Sequence, residues 1–175
     1  YGDTALTYTP SNYSQWVETT DYQNNFTLVL GEQGKSLAVA GMQYDVPCAA
    51  FGENIIKRLQ DTNEQDAFEP AFRRLLSWLV EGDADIHDEA VMASKEVGLM
   101  GLGGHYNSVN NWLDGAYPMT TFSDCTDMDS AFSCVADLDL LIVGAHGDDF
   151  YAETVTAVVD EALYNGTPVL YLHTK

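Results

Sequence analysis

At 175 residues the chain fits one domain with an appended N-terminal piece. With 46% hydrophobic and 19% charged residues it can build a packed core, which excludes a disordered chain; no apolar run reaches the roughly 20 residues that cross a bilayer. Twenty-seven acidic residues against seven basic ones give a net charge of −20, which repels phosphate backbones and anionic lipid and excludes nucleic acid and membrane insertion as modes of action.

In chain order, residues 1–25 are polar and read as an extended or irregular segment, and residues 26–175 as the α/β domain proper. Phe26–Leu30 and Ser36–Ala40 read as two strands of a hairpin, joined by a turn at Gly31-Glu-Gln-Gly34. Gly41–Cys48, with Pro47, reads as a loop. Asn54–Gln60 is a short helix, and Phe68–Val80 a clearer one, because Phe72, Leu75, Leu76 and Leu79 recur at helical spacing and Gly82 stops it. Asp83–Glu89 is an acidic link; Val97–Leu102 is a strand, broken by Gly103-Gly104; Ser108–Leu113 is a short helix ended by Gly115. Asp139–Ala145 is a continuous apolar run that suits a strand buried on both faces. Glu153–Tyr164 is a helix closed by Asn165-Gly166, and Pro168–Leu172 a last strand. From Asp139 to Leu172 this is one βαβ unit, right-handed by rule. The chain stops three residues after Leu172, so it is expected to be a fragment of a longer protein.

Three apolar runs close on histidines: His105, His146 and His173. If the runs are parallel strands of one sheet, the imidazoles share its carboxyl edge, where open α/β folds bind ligands. Neutral imidazole suits zinc or nickel, and Asp148 and Asp149 just beyond His146 could join as oxygen ligands. A satisfied half-buried imidazole is the simpler reading of each. Cys125 and Cys134 bracket a short polar loop, spacing that suits a local disulfide in an oxidising compartment. That leaves Cys48, which no Gly-x-Cys-x-Gly turn presents as a nucleophile; a buried structural thiol is favoured. The acidic groups Asp83, Asp85, Asp88, Glu89 and Asp124, Asp127, Asp129 lack the register of a calcium loop, so solvated loops are expected, with weak adventitious calcium binding the alternative. Tyr13 and Trp16, beside Asn12, Asn24 and Asn25, could stack on sugar rings, although stapling the N-terminal segment to the sheet is the plainer role.

Several segments carry a family likeness: Ser36-Leu-Ala-Val-Ala-Gly41, Phe72-Arg-Arg-Leu-Leu-Ser-Trp-Leu79, Tyr106-Asn-Ser-Val-Asn-Asn-Trp-Leu113, Asp139-Leu-Leu-Ile-Val-Gly-Ala-His-Gly147 and the turn Tyr164-Asn-Gly-Thr-Pro168. In this order, over residues 30–175, they resemble the domain that precedes the catalytic domain in enhancin-like secreted metallopeptidases. These are zinc-dependent mucin-degrading proteins that include the accessory colonization factor lipoproteins of vibrios and a related mucinase of pathogenic Escherichia. The resemblance implies a three-layer α/β sandwich with a mostly parallel sheet, similar to class I glutamine amidotransferases and flavodoxin-like. It also implies an extracellular or cell-surface, lipid-anchored or secreted parent concerned with mucin and virulence.

That family holds zinc on a His-Glu-x-x-His helix. His87 is followed by Asp88 and Glu89 with no second histidine one turn on, so no cofactor is expected here and zinc only in the parent's catalytic domain. The expected role is a non-catalytic accessory domain that positions that catalytic domain or contacts glycoprotein. The alternatives are a hydrolase using the histidine edge with His146, Asp148 or Cys48, and a structural spacer.

Overall fold

The computed structural model describes residues 14–20, 23–31, 34–60, 65–82, 89–144 and 149–174. Seven strands form one mixed sheet: β1 (Asn25–Leu30), β2 (Ser36–Gln43), β3 (Val46–Phe51), β4 (Glu96–Met100), β5 (Thr121–Asp124), β6 (Leu140–Gly144) and β7 (Val169–Leu172). Their spatial order is β1-β2-β3-β7-β6-β4-β5. The β1–β2 and β2–β3 pairs are antiparallel, and the other four ladders are parallel. The helices are α1 (Ile55–Leu59), α2 (Gln65–Glu81), α3 (Glu89–Met92), α4 (Tyr106–Ala116), α5 (Ala131–Cys134) and α6 (Asp149–Tyr164).

Two cores flank the sheet, and β6 shows why. Its residues alternate sides: Leu140 and Ile142 join the core under α1, α2 and α4, whereas Leu141 and Val143 join the one under α5 and α6. All four are at most 1% exposed, which is why the strand reads as an unbroken apolar run rather than an alternating one. On the first face Phe72 of α2 stacks edge-on against Phe51 of β3 (6.1 Å) and Trp112 of α4 (5.7 Å). Leu75, Leu76 and Leu79 complete the buried stripe that their spacing announces. On the second face the Cys125–Cys134 disulfide, with Cα atoms 5.6 Å apart, ties the end of β5 to α5.

The segment read as a loop from Gly41 to Cys48 is instead the end of β2, a tight turn and the start of β3. Two features hide it. The turn residues Tyr44 (φ 53°) and Asp45 (φ 62°) adopt the left-handed conformation that hairpin turns normally assign to Asn and Gly. Pro47, which argues against an interior strand, pairs only with Met42; the parallel ladder to β7 begins one residue later, at Cys48. Short elements also escape the sequence reading. The edge strand β5, Thr-Phe-Ser-Asp, carries one apolar residue, and α3 and α5 are single turns of four residues. Helix α4 runs past its expected limits at both ends, with Gly115 inside it, and α6 starts four residues earlier than Glu153.

Candidate functional site

Strands β4 and β6 are neighbours whose chains depart in opposite directions: β4 leads through α4 to β5, and β6 through α6 to β7. With α4 on one face and α6 on the other, the carboxyl ends of β4 and β6 form a topological switch point, the usual ligand position in an open α/β sheet. Main chains touch here. A Cβ added to Gly101 would stand 2.9 Å from the Gly144 carbonyl oxygen, and one added to Gly144 would stand 2.6 Å from the Gly101 oxygen and 2.8 Å from Thr174 Oγ1. Gly101 also has φ +65°, which other residues rarely adopt.

The three histidine-terminated runs are indeed parallel neighbours, in the order β7-β6-β4. His105 is half-buried in a turn of 3-10 helix (Gly103–His105) leading into α4, and its backbone N–H donates to the Leu102 carbonyl (3.0 Å). His173 directly follows β7, half-buried, its N–H donating to the Phe51 carbonyl (3.0 Å) and its Nδ1 lying 3.4 Å from the Tyr171 hydroxyl. Burial raises the Tyr171 pKa. His146, Asp148 and Tyr13 lie outside the described residues, as do His87, Asp83, Asp85 and Asp88.

Cys48 sits within β3, half-buried, 3.6 Å from the Gly41 carbonyl oxygen. Burial pushes its thiol up, away from the thiolate that nucleophilic chemistry requires. The acidic residues that are described do structural work. Asp124 accepts from the Thr126 N–H (3.0 Å), Asp127 accepts from the Asp129 N–H (3.2 Å) and the Ser130 hydroxyl (3.0 Å), and Glu89 reaches Arg73 at 3.9 Å. Among the described residues no three histidine, cysteine or acidic side chains gather as a metal site would require.

The sequence reading overlooked Glu53, just past β3. It is 3% exposed, and its Oε2 accepts from Arg58 Nε (3.2 Å) and from the Ser14 hydroxyl (3.2 Å), which pairs its buried charge. The neighbouring Asn54 caps α1 by accepting from the Lys57 N–H (3.3 Å). That cap, an Asn just before an apolar pair, was the available signal.

The N-terminal segment crosses this same edge. The Gln15 N–H donates to the Gly52 carbonyl (2.6 Å) and the Val17 N–H to the Ser36 carbonyl (2.9 Å), so residues 15–17 run from the end of β3 to the start of β2. Trp16 lies with one edge against Gly31, where a Cβ would collide with its ring, yet it remains 46% exposed. It lines a concave groove of about 280 Å³ between the segment and the β1–β2 hairpin.

The sequence matches the family described as the immunomodulating metalloprotease N-terminal domain over residues 1–175. A relative, the immunomodulating metalloprotease of Pseudomonas aeruginosa strain PAO1, is 26% identical over 175 residues, all of this chain and 18% of the relative. The solved structure of IMPa metallopeptidase in complex with T-antigen superposes with a TM-score of 0.74 at 26% identity, covering 97% of this chain and 18% of that one. IMPa from Pseudomonas aeruginosa in complex with an O-glycopeptide gives 0.64 at 25% identity, over 86% and 16%. The chain thus spans about a fifth of the length of the proteins it matches.

Proposed function

The chain belongs to the immunomodulating metalloprotease N-terminal domain family, and from that premise we propose that it is a non-catalytic accessory domain of a mucin-directed metallopeptidase, holding the catalytic domain in place or contacting its glycoprotein substrate. The observation that carries this reading is the family match along the whole chain. Relatives with the same fold, solved with T-antigen and with an O-glycopeptide, support the glycoprotein-contacting form of it. Zinc then belongs to the parent's catalytic domain, and an extracellular setting agrees with the Cys125–Cys134 disulfide. Among the described residues no helix is long and apolar enough to cross a membrane.

The same proposal extends to the fold. Strands β5-β4-β6-β7 reproduce the first four positions of the flavodoxin order 2-1-3-4-5. The fifth position is filled by β3, which comes earlier in the chain. This supports an amidotransferase-like, flavodoxin-like layout entered from an N-terminal hairpin.

The test is retention of the chain on immobilised mucin at physiological salt, against an equally acidic unrelated protein, together with inspection of the parent reading frame for a His-Glu-x-x-His motif. Retention plus the motif is the expected result. Absence of the motif overturns the metallopeptidase assignment, and the motif without retention restricts the role to positioning.

A further inference from the structure

The groove beside Trp16 differs from the rest of this surface. In a chain of net charge −20, the β1 residues that line it, Asn25, Phe26 and Thr27, carry no charge. The indole of Trp16 stands 46% exposed at its side, beyond what its size would normally leave open, while the Phe26 ring stacks edge-on against Trp78 of α2 at 5.9 Å. Short neutral polar groups, Thr19, Asn25, Thr27 and Ser36, line much of the rest and are already arranged by their own bonds, with Glu18 and Lys35 the charged members of the lining. Asn25 Nδ2 donates to Thr19 Oγ1 (2.9 Å), and the Thr27 and Ser36 hydroxyls share a bond of 2.8 Å. A hydroxyl in one such bond retains capacity for another. Lys35 holds its ammonium 5.8 Å from the Trp16 ring centroid, so a cation already occupies that side of the indole.

We propose that the Trp16 groove is a binding site for a neutral pyranose, one or two sugar rings of an O-linked glycan. The C–H face of the sugar lies on the indole, and its hydroxyls exchange hydrogen bonds with Asn25, Thr27 and Ser36. The chemistry decides among ligand classes. An exposed aromatic plane beside hydroxyl and amide groups matches an amphipathic ring with one apolar face and a polar rim. The acidic surroundings oppose anionic ligands, and the Lys35 contact competes with cationic ones. A volume of about 280 Å³ lies at the small end of ligand sites and suits one or two rings rather than a long chain. The proposal rests on the glycoprotein-contacting form of the function above, and gives it a place on the molecule.

The experiment is an NMR titration of the 175-residue chain with N-acetylgalactosamine, galactose and the T-antigen disaccharide, following the indole N–H signals of its three tryptophans, with sorbitol as an acyclic control. A saturable shift confined to the Trp16 indole is expected, together with saturation transfer to the sugar ring protons. Trp16→Ala should bind at least about tenfold more weakly, as truncating an aromatic anchor does. Trp16→Phe should retain part of the affinity. No saturable shift in the wild-type chain, a shift at Trp78 or Trp112 instead, or equal affinity in Trp16→Ala would each overturn the proposal. Overturning by the wild-type spectra needs no variant to fold. Mucin retention that survives loss of the sugar response would leave the accessory role standing and point to a polypeptide on this surface instead.

Discussion

The centre of the sheet and its antiparallel wing use the same kinds of side chain to opposite ends. In β6, Leu140, Leu141, Ile142 and Val143 are sealed between two helical layers. In β1, Phe26, Leu28 and Leu30 are 52%, 36% and 66% exposed at the rim of the sheet. The difference lies in position. A strand with neighbours on both sides and helices on both faces spends its apolar residues on stability, whereas an edge strand keeps them available for contact.

Substitution should separate the two regions sharply. Ile142→Ala removes a fully buried side chain and should cost about 2–5 kcal/mol; Leu30→Ala, largely solvated, should stay within about 0.5 kcal/mol. Urea denaturation of both variants measures the contrast, and equal losses would break it. A second effect of intermediate size sharpens the picture on the α5–α6 side. Reducing the Cys125–Cys134 bridge, which closes a loop of sequence separation 9, should lower stability by about 2–3 kcal/mol in the chain-entropy model. Denaturation with and without reductant tests this, and an unchanged midpoint would mean that the fold holds this loop closed without the bond.

The smallest effect concerns the other core. Tyr117 is 3% exposed, and burial raises its pKa to about 12 even though Arg73, whose guanidinium lies 5.1 Å from its ring centroid, favours ionisation. Because the folded-state value is the higher one, the folded chain binds more protons than the unfolded chain between the two values. The stabilisation is therefore complete below the ordinary tyrosine pKa of about 10 and is lost as pH rises towards about 12. Tyr117→Phe should flatten that alkaline decline. A decline of unchanged slope would assign it to Tyr106 and Tyr171, both also shifted upward by burial first of all.

These contrasts mark what was legible in the sequence. The strand β6 was legible because burial on both faces writes itself as an unbroken apolar run, and α2 because one buried stripe recurs at helical spacing. The strand β3 was not, because Pro47 and a turn made by Tyr44 and Asp45 carry the marks of a loop, and only the partner strands show that the proline sits before the parallel ladder begins. The candidate site divides in the same way. The histidine endings identified the carboxyl edge, since strand ends are local in sequence. The contact between Gly101 and Gly144, the pairing of Glu53 with Arg58 and Ser14, and the groove walled by Trp16 join distant segments, and no local pattern announces them.

The meeting of Gly101 and Gly144 has a consequence for how this domain can vary. Each glycine is held by the other's main chain, so neither position is rescued by altering its partner: a side chain at one end strikes a peptide group that every residue possesses. The loops beyond can lengthen, shorten or change sequence, but they must do so around two fixed points. Diversity introduced on this edge, by evolution or in a library, is therefore confined to what the loops display, while the spacing between β4 and β6 stays constant beneath it.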